Sequence, residues 1–110
     1  MNKYHAKKVE HEGIVFDSRR EFRRYVELRL MCNAGMISDL RLQAKYNLIP
    51  SQKAARGKTL ERPVDYIADF VYKDAAGNTI VEDAKGKKTK DYIIKRKLML
   101  YVYGIRVQEV

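Results

Sequence analysis

The stretch VDYIADFVYKDAAGNTIVEDAK, Val64 to Lys85, decides the fold. Two runs rich in β-branched and aromatic residues, about Val64 to Tyr72 and Thr79 to Lys85, flank Asp74-Ala75-Ala76-Gly77-Asn78. So short a link containing Gly and Asn closes an antiparallel hairpin. If Lys73 and Thr79 close the loop symmetrically, Tyr72 faces Ile80, Val71 faces Val81, and Asp69 stands opposite Asp83. Directly opposed residues carry Cβ atoms roughly 4.5–5.5 Å apart on one face of a sheet. Two carboxylates at that distance repel unless something positive sits between them, and a hydrated divalent cation held by hard oxygen ligands is the usual solution. Lys85 shares a face with Asp83 by its i, i+2 spacing and is the other candidate to neutralise the pair, while Glu82 points to the opposite face. A bulge that slips the register by one puts Glu82 in place of Asp83.

Working outward, Leu40 to Leu48 alternates strictly, with Leu40, Leu42, Ala44, Tyr46 and Leu48 on one face and Arg41, Gln43, Lys45 and Asn47 on the other, which predicts a strand. Ser18 followed by Glu21 is a capping box, so a helix opens there and runs to about Ala34, with Gly35 as its left-handed stop. Along it Phe22, Val26 and Leu30 form one apolar row, and Glu21, Tyr25, Leu28 and Cys32 an adjoining one. Before it, Val9 to Phe16 reads as a short hairpin turning at Glu12-Gly13, within an N-terminal extension over 1–17. Between Pro50 and Pro63 the residues turn small and basic without periodicity, which reads as a mobile basic loop. After the central hairpin, Thr89 caps a second helix to about Tyr103, Gly104 ends it, and a final strand alternates from Ile105 to Val110. The expectation is an α/β protein, a mixed sheet flanked by helices in the order α-β-β-β-α-β.

The chain has 110 residues, with 23 Lys and Arg against 14 Asp and Glu, a net charge of +9, and 45% hydrophobic residues. That is enough for one folded domain spanning 1–110 and too little for a second. At this size such a charge points to a polyanion, with nucleic acid the leading partner. The longest apolar run, Leu98 to Tyr103, falls far short of the roughly 20 residues that cross a bilayer, and the first ten residues lack the apolar core of a signal peptide. A single cysteine, Cys32, excludes an internal disulfide framework and suits a reducing compartment. His5 and His11 are too few and too far apart for a zinc site. No glycine-rich nucleotide cradle occurs.

Glu21 on a first helix, Asp69 on a central strand, and Asp83-Ala84-Lys85 on the next, followed by a helix and a strand, resemble the PD-(D/E)XK nuclease superfamily. The stretches FDSRREFRRY, YIADFVY and VEDAKGKKT are similar to small, largely uncharacterised phage and prophage proteins assigned to it. The D/E-x-K tripeptide is weak by itself; its place after an acid-bearing strand in the right element order makes the combination specific. Ala68 stands where the name-giving proline would be, a position that carries no chemistry.

The resemblance implies a restriction-endonuclease-like core and a Mg²⁺-dependent endodeoxyribonuclease, with Mn²⁺ as a substitute. Asp69, Asp83 and the backbone carbonyl of Ala84 would hold the metal with Glu21, and Lys85 would orient the attacking water and neutralise phosphate charge. Candidate DNA contacts are Arg20, Arg24, Arg56, Lys58, Lys87, Lys88 and Lys95. A structure-selective, Holliday-junction-resolvase-like activity on double-stranded or branched DNA, and a homodimer supplying two cutting sites, follow the same line. So does the cytoplasm of a bacterial host of a phage or prophage. From another class, a non-catalytic nucleic-acid-binding accessory protein fits the fold and charge, but has no evident reason to keep the acids and Lys85 together. Structural roles compete at single positions: Glu21 suits a capping box for conformational reasons alone, and a run of cations such as Lys95, Arg96 and Lys97 suits a solvated helix face.

Overall fold

The computed structural model describes residues 7–110; His5 and residues 1–6 of the N-terminal extension lie outside the described residues. Strands β1 (Val9–His11) and β2 (Ile14–Phe16) form the expected antiparallel hairpin. It turns through Glu12 and Gly13, both left-handed at φ 51° and 81°, as a tight two-residue hairpin turn requires. Phe16, 1% exposed, anchors the hairpin against the rings of Phe22 and Tyr25 on the following helix.

Helix α1 (Arg19–Asn33) starts as the sequence predicts: Ser18 Oγ accepts the Glu21 N–H at 3.1 Å. The reciprocal bond is displaced by one residue, because Glu21 Oε2 accepts the N–H of Asp17 at 3.2 Å. Gly35, at φ 76°, lets the N–H of Met36 reach back to Met31 O at 2.9 Å and closes the helix end. Of the two rows read along the helix, Glu21, Tyr25, Leu28 and Cys32 turn inward. Val26 and Leu30 are 40% and 64% exposed. The inward side packs Leu28, with Tyr25, Met31 and Cys32, against Phe70 and Tyr72 of the sheet, and on that same side Glu21 and Arg24 bond to Gln43 and Glu82.

Strand β3 (Ser38–Ile49) alternates half-buried and exposed residues as predicted, but its apolar row does not stay on one face. Leu40 and Leu42 pack on the α1 side and Ala44, Tyr46 and Leu48 on the opposite side, because the left-handed backbone at Gln43 turns the strand over. The segment 50–63 is no irregular loop. It folds into a two-stranded ribbon of β4 (Gln52–Lys53) and β5 (Thr59–Glu61), because Ala54 and Lys58 pair their backbones across a turn at Gly57, whose φ is 85°. Strands β6 (Val64–Lys73) and β7 (Thr79–Asp83) form the central hairpin. Its register is the one reasoned from loop length, with Tyr72 opposite Ile80 and Val71 opposite Val81, and the ladder ends at Phe70 opposite Glu82. Strand β7 stops at Asp83, so Ala84 and Lys85 lie just past its end. Helix α2 (Lys90–Tyr103) is capped by Thr89 and ended by left-handed Gly104. The final strand shortens to β8 (Gln108–Glu109).

The main sheet is mixed, in the order β3-β6-β7-β8, with β7 and β8 parallel and the other pairs antiparallel. The parallel pair requires the α2 crossover. Helix α2 brings Tyr92 and Met99 onto one face, against Val71, Val81, Tyr66 and Val107. Helix α1 brings Leu28 onto Phe70 and Tyr72 on the other. Between Leu42 and Ala44, β3 passes its apolar side chains from the α1 cluster to the α2 cluster. The residue at the changeover, Gln43, has a left-handed φ of 51°, rare for a non-glycine inside a strand.

Candidate functional site

Three elements deliver acids to one end of the β6–β7 hairpin. Glu21 comes from the first turn of α1 and is 4% exposed. Asp69 comes from the middle of β6 and Asp83, 1% exposed, from the last position of β7. Asp69 Oδ2 accepts the N–H of Ala84 at 2.9 Å, which draws its carboxylate to the backbone just beyond Asp83. The opposition of Asp69 and Asp83 inferred from loop length is thus completed by a side chain reaching across where the backbone ladder has ended.

Asp83 is held differently. Its Oδ2 accepts the hydroxyl hydrogen of Tyr66 at 2.5 Å, and its Oδ1 has Lys85 Nζ at 3.2 Å. The angle to Lys85 is not that of a directed hydrogen bond, which leaves Oδ1 buried without one. The ammonium of Lys85 also lies over the ring of Tyr92, 4.6 Å from its centre, an arrangement that holds a cation without a second carboxylate.

Gln43 joins the acids. Its Nε2 donates to Glu21 Oε1 at 3.2 Å and to Asp69 Oδ1 at 3.3 Å. Glu21, Asp69, Asp83 and Lys85 are therefore linked in one network through Gln43 and the Ala84 amide. The crowding shows in the titration of the group: burial, then the neighbouring Asp83 and Glu21, raise Asp69 well above the ordinary carboxylate range, to about 8. Burial likewise raises Glu21, against the opposing pull of the Asp17 amide. Among the described residues no group of three or more His, Cys, Asp or Glu is set closely enough to hold a metal ion as it stands.

A cleft opens beside the network, lined by Asp65, Tyr66, Asp83, Lys85, Tyr92 and Lys95. Lys95 on α2 thus shares a groove with Asp83 and Lys85, while Glu21 and Asp69 do not line it. Other candidate DNA contacts fare differently. Arg24 is not available to phosphate, since its guanidinium grips the buried Glu82 through Nε at 2.8 Å and Nη2 at 2.7 Å and touches Glu27 at 3.1 Å. Lys88 lies 3.4 Å from Glu109, which also binds Tyr92 and Arg96. Arg20 lines a hollow with Arg23 and Arg24. Arg56 and Lys58 are exposed on the β4–β5 ribbon, and Lys87 is exposed between Lys85 and α2.

Sequence reasoning left Gln43 without a role and missed Tyr66. Gln43 sits on the polar face of an alternating strand, but the 50–63 segment between β3 and β6 is too long to transmit a register. Only the observed pairing, with Leu42 opposite Phe70 and Ala44 opposite Ala68, puts Gln43 across from Asp69. For Tyr66 a signal existed, since a tyrosine inside an apolar strand needs a partner for its hydroxyl.

Fold and site together define a basic, mixed α/β protein whose sheet, covered by a helix on each face, gathers three acids and a lysine at the end of its central hairpin. Residues 1–108 match the family described as "Protein of unknown function (DUF1064)", and the chain belongs to that family. No curated protein and no solved structure matches it. No helix among the described residues is long and apolar enough to cross a membrane.

Proposed function

We propose that the protein is a metal-dependent endodeoxyribonuclease of the PD-(D/E)XK type, using Mg²⁺ or Mn²⁺ on double-stranded or branched DNA, encoded by a phage or prophage and acting in the bacterial cytoplasm. The observation that carries this reading is the network joining Glu21, Asp69, Asp83 and Lys85 on three elements, with Asp83 Oδ1 buried and lacking a directed donor. Three crowded, desolvated acids share the single ammonium of Lys85, and burying charge that is not fully offset is costly, so the fold alone gives little reason for them. Their chemistry fits a hard divalent cation, and Asp69, Asp83, Glu21 and the Ala84 carbonyl are the groups that would hold it. When bound, such an ion lowers the pKa of its water and stabilises the leaving oxygen of a phosphodiester.

The chain's own residues supply the rest. Lys85 stands at the cleft with its ammonium steadied by Tyr92, so it faces a phosphate that enters there and offsets the negative charge gathering on its oxygens. The Tyr66 hydroxyl fixes the Asp83 carboxylate by occupying Oδ2 and leaving Oδ1 toward Lys85. Gln43 keeps Glu21 and Asp69 converged. Lys95 extends the positive lining of the cleft along the path of a strand. Two protomers would provide the two cuts that a duplex or a four-way junction requires.

Incubation with supercoiled plasmid and with a four-way junction, in Mg²⁺, Mn²⁺ or EDTA, tests the reading. Metal-dependent cutting that disappears in Asp83→Asn and Lys85→Ala, with DNA binding kept, is the expected result. Binding without cutting of either substrate by the wild type overturns the nuclease and assigns the accessory role.

A further inference from the structure

We infer that the β4–β5 ribbon is an arm that enters the major groove of B-form duplex DNA, a proposal that rests on nucleic acid being the substrate of the site. The segment 51–62 carries Lys53, Arg56, Lys58 and Arg62 against the single acid Glu61. Every residue from Ser51 to Pro63 except Ala54 is exposed, and among the described residues none of the four cations is held in an ion pair. The ribbon pairs with itself and makes no extensive contact with another element.

A bare ribbon is marginally stable at best in water and gains nothing from the core. Unpaired cations on a projecting element are, however, the footprint of a phosphate backbone, because each neutralised phosphate releases condensed counterions. The form of the element selects the nucleic acid. The major groove of B-DNA is wide enough for a two-stranded β-ribbon, whereas the deep, narrow major groove of A-form RNA is not readable by side chains. Single strands are held by stacking on aromatic rings, and the ribbon contains none between Ser51 and Arg62. The ribbon is also anchored beside the cleft. It leaves β3 after Ile49 and returns at Val64, next to Asp65, and Asp65 lines the same cleft as Asp83 and Lys85. A duplex whose backbone passes Lys85 and Lys95 therefore lies within reach of an arm rooted at that end of the groove.

The test is fluorescence anisotropy in EDTA, which reads binding without cutting, on a 30-bp DNA duplex, one of its strands, and an RNA duplex of the same sequence. The variant carries Lys53→Ala, Arg56→Ala, Lys58→Ala and Arg62→Ala together, and a thermal melt checks that it folds. The expected result is a duplex-DNA affinity lowered at least about 100-fold near 0.1 M salt, with the slope of log K against log salt shallower by about 3 to 4, and a much smaller loss on the single strand. Wild-type affinity for the RNA duplex falls below that for the DNA duplex. Unchanged duplex affinity in the variant, equal losses on duplex and single strand, or equal wild-type affinity for both duplexes each overturns the groove arm. The proposed nuclease fails separately, when the wild type binds DNA in this assay yet never cuts it in Mg²⁺ or Mn²⁺.

Discussion

The guanidinium of Arg24 meets the carboxylate of Glu82 fork to fork, Nε to Oε1 at 2.8 Å and Nη2 to Oε2 at 2.7 Å. Arg24 lies about one turn beyond Glu21, and Glu82 directly precedes Asp83. The pair therefore locks α1 to β7 in the one setting that brings Glu21 toward Asp83. Tyr72 completes it, donating its hydroxyl hydrogen to Glu82, and burial followed by that carboxylate pushes the Tyr72 phenol up to about 12. Glu82 and Asp83, neighbours on one strand, thus serve opposite faces: one fastens the helix, the other belongs to the candidate site.

Breaking this pair on one side strands a buried charge. Arg24→Ala is expected to destabilise the protein by about 3 kcal/mol or more, because the cost of the unpaired Glu82 exceeds the worth of the lost attraction. The double variant Arg24→Met with Glu82→Leu, which removes both charges and keeps the bulk, is expected to recover most of that loss. Urea denaturation of the three proteins measures it, and a double variant no better than Arg24→Ala sinks the explanation.

Gln43 combines a left-handed backbone with a side chain that spans two acids. Gln43→Ala and Gln43→Gly both delete the amide and differ only in how the backbone tolerates φ 51°. Outside the left-handed region alanine is the better strand residue; inside it the order reverses. Gln43→Gly is expected to be more stable than Gln43→Ala by about 1 kcal/mol, read from urea midpoints. Equal stability, or alanine ahead, means the strand does not hold that conformation in solution.

The contrast between Asp83 and Gln43 shows what was legible in the sequence. The β6–β7 register follows from five loop residues, so Asp69, Asp83 and Lys85 can be placed by parity and counting. The helix ends at Ser18, Gly35, Thr89 and Gly104 are equally local, written in one or two residues each. Contacts that close through long connections are not. Gln43 meets Asp69 only after a ribbon of a dozen residues, and Arg24 meets Glu82 from 58 positions away. The sequence could offer Arg24 only as an exposed cation, since a helix face does not name the strand it will lie on. The ribbon escaped for another reason: the equally short β1–β2 hairpin announces itself by the apolar Val9, Ile14, Val15 and Phe16 around its turn, whereas β4 and β5 hold only Leu60 among polar residues and show no apolar pattern to read.

The raised Asp69 and Glu21 carboxyls fix the sign of a pH dependence. Each binds its proton more tightly folded than unfolded, so the folded state carries the extra protons between the unfolded value near 4 and the folded one. In metal-free protein, stability is thus expected to fall as pH rises through this window, up to about 8 for Asp69. The lowered groups Asp65, Asp74 and Glu109 act in the opposite sense, but only below their ordinary values. Urea midpoints at pH 5, 6, 7 and 8 in EDTA should decline for the wild type and decline less for Asp69→Asn. Parallel curves for the two proteins contradict the assignment.

On the proposed reading, the same carboxylates make metal binding and stability one measurement. Any ion that binds the folded chain and not the unfolded one stabilises it by an amount set by concentration over Kd, about 2.7 kcal/mol at a hundredfold excess. Mg²⁺ is therefore expected to raise the urea midpoint of the wild type, and Asp83→Asn, which removes the charge of the most buried of the three site acids, should lose most of that gain. The dependence on pH separates this from a general salt effect. A cation competes with the protons on Asp69 and Glu21, so its stabilisation should grow from pH 6 to pH 8, over the range in which the metal-free protein weakens. A shift of equal size at both pH values, or one that NaCl at matched ionic strength reproduces, would mean that Mg²⁺ acts on the surface charge of the chain and not on these acids.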